Sequence, residues 1–468
     1  MRLKSIFTNS FGILMSRIAG FVRDVLMASV LGASFWSDLF FVANRLPNLF
    51  RNIFAEGAFT QAFMPSFVAS RKKGVFATAI FLRFMLFIIF GSLVVTFFPE
   101  YITKILAIGW DSETIAKAAP LTAINFWYLD LIFIVSFLAT LLQYKEHFLT
   151  TAISSILLNL AMIGALLISM HDDPKTVAYA LSISVLVGGL LQVLLHIYTI
   201  NKLKLHRLLI GGYKYRKEKD IEAEKKKFTK LFIPAVWGNS SMQINSFVGT
   251  MLASFLVTGS ISYLAYAQRI FQLPLALFAI ATATALFPSI SKALKNKHED
   301  VAYENLSKAF WLLSFALGFA TLGGVMLSEP IIWLLFERGR FVESQSVETA
   351  KVLSMFMLGL LPLGLAKLFS LFLYASYRQA KAAKIATISV VVNIIASLLL
   401  MKPLGAMGIA LAGSIGGWVL FILTVKEVGF DKFQNILKSK MSLYLIVSLS
   451  IFALILYYAN IMLLDWIR

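Results

Sequence analysis

The chain has 468 residues, 59% of them hydrophobic and 14% aromatic, with a mean hydropathy of +0.80. Water-soluble domains use about 45 to 50% apolar residues, so this composition reads as a polytopic membrane protein. Having no cysteine excludes disulfides and thiolate metal sites; five scattered histidines make no zinc motif, and neither metal nor cofactor is expected.

Apolar runs of about 20 residues predict thirteen spans. They lie near 7–31, 36–54, 75–98, 121–143, 150–170, 177–200, 229–257, 261–288, 309–328, 347–373, 384–401, 405–425 and 441–463. The first run lacks a short charged head and a small-residue cleavage site, so it is expected to be a retained span. With the amino terminus cytoplasmic, the cytoplasmic segments outside these spans hold 26 of the 43 Lys and Arg and the outer ones 7. The positive-inside rule therefore predicts that orientation. Eleven of the positives fall in residues 201–230, around "YKYRKEKDIEAEKKK". That concentration accounts for much of the net charge of +19 without nucleic acid, and predicts a solvated cytoplasmic linker or one that rests on anionic lipid head groups.

The linker divides two copies of one pattern. "FVRDVLMASVLGASFWSDLFFVANRLPNLF" from Phe21 aligns with "FVGTMLASFLVTGSISYLAYAQRIFQLPLALF" from Phe247 at an offset near 223 to 227 residues. An even number of spans separates the copies, which predicts parallel repeats rocking about a central site. The expected domains are a six-helix lobe at 1–200, the basic linker at 201–228, a second six-helix lobe at 229–427, and at 428–468 a linker with an additional carboxyl-terminal span. The fold class is thus all-α: two parallel six-helix repeats around a central cavity, plus the extra helix.

Charge inside these spans needs a reason, because each Arg near the bilayer centre costs roughly 2.5 to 3.5 kcal/mol on the insertion scale. "SRIAGFVRD" (16–24) puts Ser16, Gly20 and Arg23 on one stripe, with Arg17 about 120° away from Arg23 at 100° per residue. Arg45 and Arg51 follow on the second span, and Arg269 matches Arg45 in the second repeat. Nearby acids are Asp24, Asp38 and Glu56, fewer than the arginines. A surplus of buried positive charge predicts a large anionic ligand, since the guanidinium fork fits phosphate oxygens. The competing reading is structural: Asp24 and Asp38 each pair with an Arg, and the rest snorkel. Pro47, Gly57 and "RNIFAEGAFTQ" predict that the second span ends in an irregular cytoplasmic segment.

"SRIAGFVRD", "SDLFFVANRLPNLFRNIFAEGAFTQAFMPSF" and "LFERGRF" (335–341) resemble the MurJ (MviN) family, the lipid II flippases of bacterial cell-wall synthesis, over the first twelve spans. The resemblance implies the fold of the multidrug/oligosaccharidyl-lipid/polysaccharide exporters, with two lobes opening a cavity alternately to each face. It implies lipid II, an undecaprenyl diphosphate carrying a disaccharide pentapeptide, as the substrate partner, moved from inner to outer leaflet. Family residues important for function match Arg17, Arg23, Arg51, Arg269 and Asp38, while Ser16, Arg45, Asn48, Glu56 and Gln272 are candidates for the cavity or gate. A monomer in contact with membrane lipids is expected. Family members commonly have fourteen helices, the last two forming a groove for the lipid tail, and only one is found here after residue 430. Sodium-binding relatives carry a carboxylate near the eleventh helix, where "YASYRQAKAAK" (374–384) offers Arg378, so sodium coupling is not expected. A flippase for another polyprenyl-diphosphate oligosaccharide, or a drug or cation exporter of the same fold, is the alternative. A cation exporter should line its cavity with carboxylates, which here are outnumbered. An intramembrane glycosyltransferase needs an extracytoplasmic acid or base. The outer connections 99–120 and 329–346 carry only Glu100, Asp111, Glu113, Glu329, Glu337 and Glu343, with no catalytic constellation, so no catalytic residue is assigned and no enzyme is expected.

Overall fold

The computed structural model describes the backbone of residues 3–54, 58–216 and 221–467, and the side chains of those residues apart from 3–11, 13, 52–54, 237–246 and 284. All its regular secondary structure, among the described residues, is helical. The chain forms two compact units, Met1–Met251 and Leu252–Arg468.

The first unit comprises α1 (Leu3–Leu31), α2 (Phe35–Ala43), α3 (Arg45–Phe54), α4 (Ala58–Ala69), α5 (Lys73–Phe97), α6 (Pro99–Leu106), α7 (Ser112–Phe126), α8 (Tyr128–Tyr144), α9 (Leu149–Ile168), α10 (Pro174–Lys202), α11 (His206–Lys214) and nearly all of α12 (Glu222–Ala253). The second comprises α13 (Ser260–Pro274), a π-helical turn at Leu275–Ile280, α14 (Ala281–Lys295), α15 (Glu299–Met326), α16 (Ser328–Phe336), α17 (Glu343–Met357), α18 (Leu360–Ala375), α19 (Gln379–Val428), α20 (Phe430–Leu437) and α21 (Met441–Ile467). The repeat seen in the sequence is a repeat of elements. A long helix, a short one, a broken pair and two further rods run α5, α6, α7–α8, α9 and α10 in the first unit. The second gives α15, α16, α17–α18 and the two halves of α19.

Nine helical stretches among the described residues are long and apolar enough to cross a membrane. One of them, α19, holds two predicted spans, 384–401 and 405–425. It bends at Gly405, whose combination of φ 58° and ψ −138° suits glycine alone, two residues after Pro403. Three predicted spans, 7–31, 36–54 and 229–257, fall on α1, α2–α3 and α12, outside those nine. The second of them is not one rod. Pro47 lacks an amide hydrogen and its ring opposes the carbonyl four residues back, at Ala43, so the helix breaks at Asn44 and restarts at Arg45.

Two expectations are corrected. The segment after the second span is not irregular where it is described: residues 58–69 form α4, while 55–57, including Glu56 and Gly57, lie outside the described residues. Phe59, Phe63 and Phe67 recur every four residues and stack 5.2 and 5.4 Å apart, and all three are buried. They pack into an aromatic core with Phe76, Phe133, Phe137 and Phe228, so apolar burial holds this helix together despite Pro65. The linker is likewise not merely solvated. Its helix α11 docks on α5 at Gly74 and Gly212, where a Cβ on Gly74 would come within 2.5 Å of the Leu208 carbonyl oxygen. Phe228 of α12 also belongs to the first unit's core and Phe232 packs against it, so the compact unit extends to residue 251 rather than ending before 229, where the second lobe is expected to begin.

Candidate functional site

α1 carries the charge that the sequence singled out. The helix stops at Leu31 because Gly32 adopts φ 65° and its amide returns to the Ala28 carbonyl at 2.8 Å. The small-residue stripe faces α9, and Asn159 is the residue it meets. The Asn159 amide nitrogen donates to the Ser16 carbonyl at 3.2 Å and lies 3.6 Å from where a Gly20 Cβ would be, while its oxygen accepts from Arg23 Nη1 at 2.9 Å. Arg23 also donates from Nε and Nη2 to Asp24 Oδ1, at 3.0 and 2.7 Å. All three guanidinium nitrogens are therefore engaged within the protein, with the side chains of Arg23 and Asp24 only 14% and 7% exposed. The structural alternative holds for this arginine: Asp24 is its ion-pair partner.

Arg17 differs. It is exposed and makes no hydrogen bond or ion pair among the described residues. About one and two-thirds turns separate it from Arg23, about 9 Å along the axis. Two arginines of one motif thus divide, one spent on helix packing and one presented at the surface. Of the set, Arg17 and Arg269 are exposed, and Arg23, Arg45 and Arg51 are half-buried.

The second cluster surrounds the break between α2 and α3. Ser34 and Ser37 close a capping box, with the Ser34 amide donating to Ser37 Oγ at 2.7 Å and the Ser37 amide to Ser34 Oγ at 3.4 Å. This box fixes the first turn of α2, where Asp38 is buried near the positive helix end. Asn48 Nδ2 donates to the Asn44 carbonyl at 2.9 Å and ties α3 to the break. Arg45 opens α3 and Arg51 closes it, both half-buried. In the second unit, Arg269 and Gln272 lie on α13, both exposed, just before Pro274 and the π-helical turn. Proline deprives the turn of a donor there as Pro47 does in the first unit, so both repeats are irregular near the matched arginines.

Sequence reasoning missed Asn159, although a single amide in the apolar run "SSILLNLAMIGALL" marks a position that must find a polar partner. It also missed Glu427. Arg378 lies at the start of α19 and pairs with Glu427 at its far end, and Lys381 Nζ donates to the same carboxylate at 2.7 Å. Asp130 of α8, a further carboxylate within a predicted span, is buried and accepts from Ser92 Oγ at 2.5 Å.

The family profile described as "Lipid II flippase MurJ" matches residues 27–468. The chain belongs to the MurJ family. It is 50% identical over 436 residues to the Helicobacter pylori protein named "Probable lipid II flippase MurJ", covering 91% of this chain and 94% of that one. The Haemophilus influenzae protein of the same name is 32% identical, with 86% and 81% covered. A solved structure titled "Lipid II flippase MurJ, inward closed conformation" superposes with a TM-score of 0.79 at 26% identity, covering 98% of this chain and 99% of that one. An inward-facing multidrug resistance MATE family transporter of the MOP superfamily shares the fold alone, with a TM-score of 0.68 at 12% identity and coverage of 93% and 99%. The MurJ profile runs to residue 468, so the similarity does not stop at the twelfth span: α20 and α21 belong to it.

Proposed function

We infer that the chain is a lipid II flippase, a transporter rather than an enzyme, moving an undecaprenyl-diphosphate-linked disaccharide pentapeptide across a bacterial cytoplasmic membrane. The observation that carries this reading is the MurJ family match along almost the whole chain. The charge pattern agrees with it. A diphosphate carries acceptor oxygens that match the guanidinium fork, and a hydrogen bond to a charged group contributes about 1.5 to 3 kcal/mol. Arg17 is the best-suited residue for that contact, being exposed and uncommitted to other described side chains. Arg45 and Arg51 of the first unit are further ligands for that anion, with Asp38 on the preceding helix α2, and Arg269 is the candidate from the second repeat. Arg23 acts differently, holding α1 against α9 through Asn159 and so setting the pose of Arg17.

Transport then needs no covalent chemistry. The arginines bind the diphosphate, the polyprenyl tail stays in lipid, and the two lobes rock to change the face exposed, the monomer being the working unit. The test is transfer of labelled lipid II across liposomes containing only this protein. Transfer by the wild type, with Arg17→Ala reduced about tenfold or more, is expected. Liposomes of folded wild-type protein that leave lipid II in its starting leaflet, with and without a membrane potential, would overturn the reading.

A further inference from the structure

The docking of α11 on α5 leaves an apolar cleft that transport does not explain. It has a volume of about 350 Å³ and is walled by Phe81 and Leu82 of α5, Ile134 and Phe137 of α8, and Ile210 and Tyr213 of α11. Its lining is almost entirely carbon. Of its two hydroxyls, that of Thr78 donates to the Leu209 carbonyl at 3.4 Å, and the other belongs to Tyr213, an exposed side chain. Phe137 is fully buried whereas Ile210 and Tyr213 are exposed, so the cleft runs from the core of the first unit to its surface. Apolar walls of this kind favour a hydrocarbon and offer nothing to a polar ligand.

Charge marks the exposed rim. The Arg216 guanidinium stacks 4.1 Å from the centroid of the Tyr213 ring and donates to the Tyr213 carbonyl at 3.1 Å, so a cation is fixed beside the cleft's own wall. Lys214 lies next to it over the Tyr215 ring, and Arg207 is on the same short helix. The stacking uses one face of the guanidinium and one nitrogen, leaving its other donors available to an anion. A hydrocarbon slot with a cation at its rim is the complement of an amphiphile whose anionic head sits at the membrane surface.

We propose that the cleft between α5, α8 and α11 binds one acyl chain of an anionic phospholipid, with the lipid phosphate held by Arg216 and Lys214. The occupant is a membrane lipid of the leaflet on the linker's side, not the transported substrate. Bound there, it fastens α11 to α5 and makes the seat of the linker depend on the anionic lipid content of the membrane.

The experiment uses the full-length protein in nanodiscs with phosphatidylglycerol bearing a photoreactive acyl chain, the adducts being located by peptide mass spectrometry. Adducts are expected on the α5 peptide containing Phe81 and Leu82 and on the α11 peptide containing Ile210 and Tyr213. Unlabelled phosphatidylglycerol should compete them away, and unlabelled phosphatidylcholine should not. Each basic residue near a lipid surface favours it by an amount worth about fivefold in occupancy. Arg216→Ala and Lys214→Ala should therefore each lower the yield about fivefold, and Arg216→Lys less. Both side chains are exposed, so the variants are expected to fold. Filling the slot with Ile210→Trp should abolish the adducts while leaving Arg216 in place. Equal labelling by a phosphatidylcholine probe that ignores Arg216→Ala would overturn the proposal, leaving only annular lipid. Displacement by a polyprenyl diphosphate but not by phosphatidylglycerol would overturn it in favour of the substrate's tail. Absence of adducts on both peptides would overturn it outright.

Discussion

Arg17 and Arg23 belong to one motif and play different parts, which separates their variants. Arg17 is exposed and makes no hydrogen bond or ion pair among the described residues, so Arg17→Ala should reach the membrane in normal amount and fail to complement a strain lacking its own flippase. Arg23→Ala removes the partner of a buried carboxylate and the Asn159 contact, and breaking a buried pair from one side costs about 3 to 5 kcal/mol. Membrane abundance should fall for that variant, with lost complementation following from lost protein, and Asn159→Ala should share part of the defect. Quantitative immunoblotting beside complementation distinguishes the two, and equal abundance of both variants would contradict the division. The sequence placed both arginines on one helix but could not tell them apart, because the difference lies in Asn159, more than a hundred residues away. A second residue sets a pH dependence. Burial, then the nearby Lys202 charge, pushes the His147 pKa below its usual value, and its Nε2 sits 2.8 Å from Thr150 Oγ1. The unfolded chain therefore takes up this proton first. Stability should be complete above pH about 6.5, fall as the pH drops toward the lowered folded value, and level off below it. Replacing His147→Gln should flatten that slope in a thermal melt taken between pH 5 and 7.

At the level of elements, the helices legible in sequence were the long apolar ones, and their breaks were less so. Residues 36–54 read as a single span because hydropathy averages across Asn44, whereas the local cause, Pro47 acting on the carbonyl of Ala43, acts over only four residues. The Phe59–Phe63–Phe67 period of four was present in the sequence, but the polar residues before it obscured a helix that tertiary burial stabilises. The docking of α11 depends on two glycines far apart in the chain, which no local pattern announces. That contact predicts a sharp difference between neighbours. A Cβ at Gly212 would fall on the Gly74 backbone and on Thr78 Oγ1, whereas nothing lies within 4 Å of one at Gly211. Gly212→Ala should cost about 1 to 3 kcal/mol of local packing, and trypsin should then cut the basic stretch 201–230 faster than in the wild type. Gly211→Ala should leave the cleavage rate unchanged.

Over the whole molecule, the two repeats share their order of helices but not their chemistry. Arg17 and Arg23 have no basic counterparts at Gln243 and Gly249, so this pair of arginines occurs in the first repeat and not in the second. The second unit uses charge to fasten α19, where Glu427 gathers Arg378 and Lys381. A carboxylate shared by two cations is a poor ligand for a third, so replacing sodium by potassium should leave the rate of lipid II transfer in liposomes unchanged. A strong sodium requirement would contradict that. The arrangement across the membrane rests on the basic residues, which crowd at one set of connections. Two of these markers are far apart in sequence and predicted to lie on opposite sides. Lys225 sits near the start of α12, in the stretch that holds eleven of the 43 basic residues, and Asp465 sits in the last turn of α21. The native chain has no cysteine, so single cysteines at these positions report without background. With the amino terminus cytoplasmic, Lys225→Cys should resist a membrane-impermeant thiol reagent in intact cells and react after lysis. Asp465→Cys should react in intact cells. Thirteen crossings require the two to differ, because an odd number of spans, from the seventh through the thirteenth, separates them. Protection at both positions would mean an even number of crossings between them, and labelling of Lys225→Cys from outside would invert the orientation that the positive charges dictate.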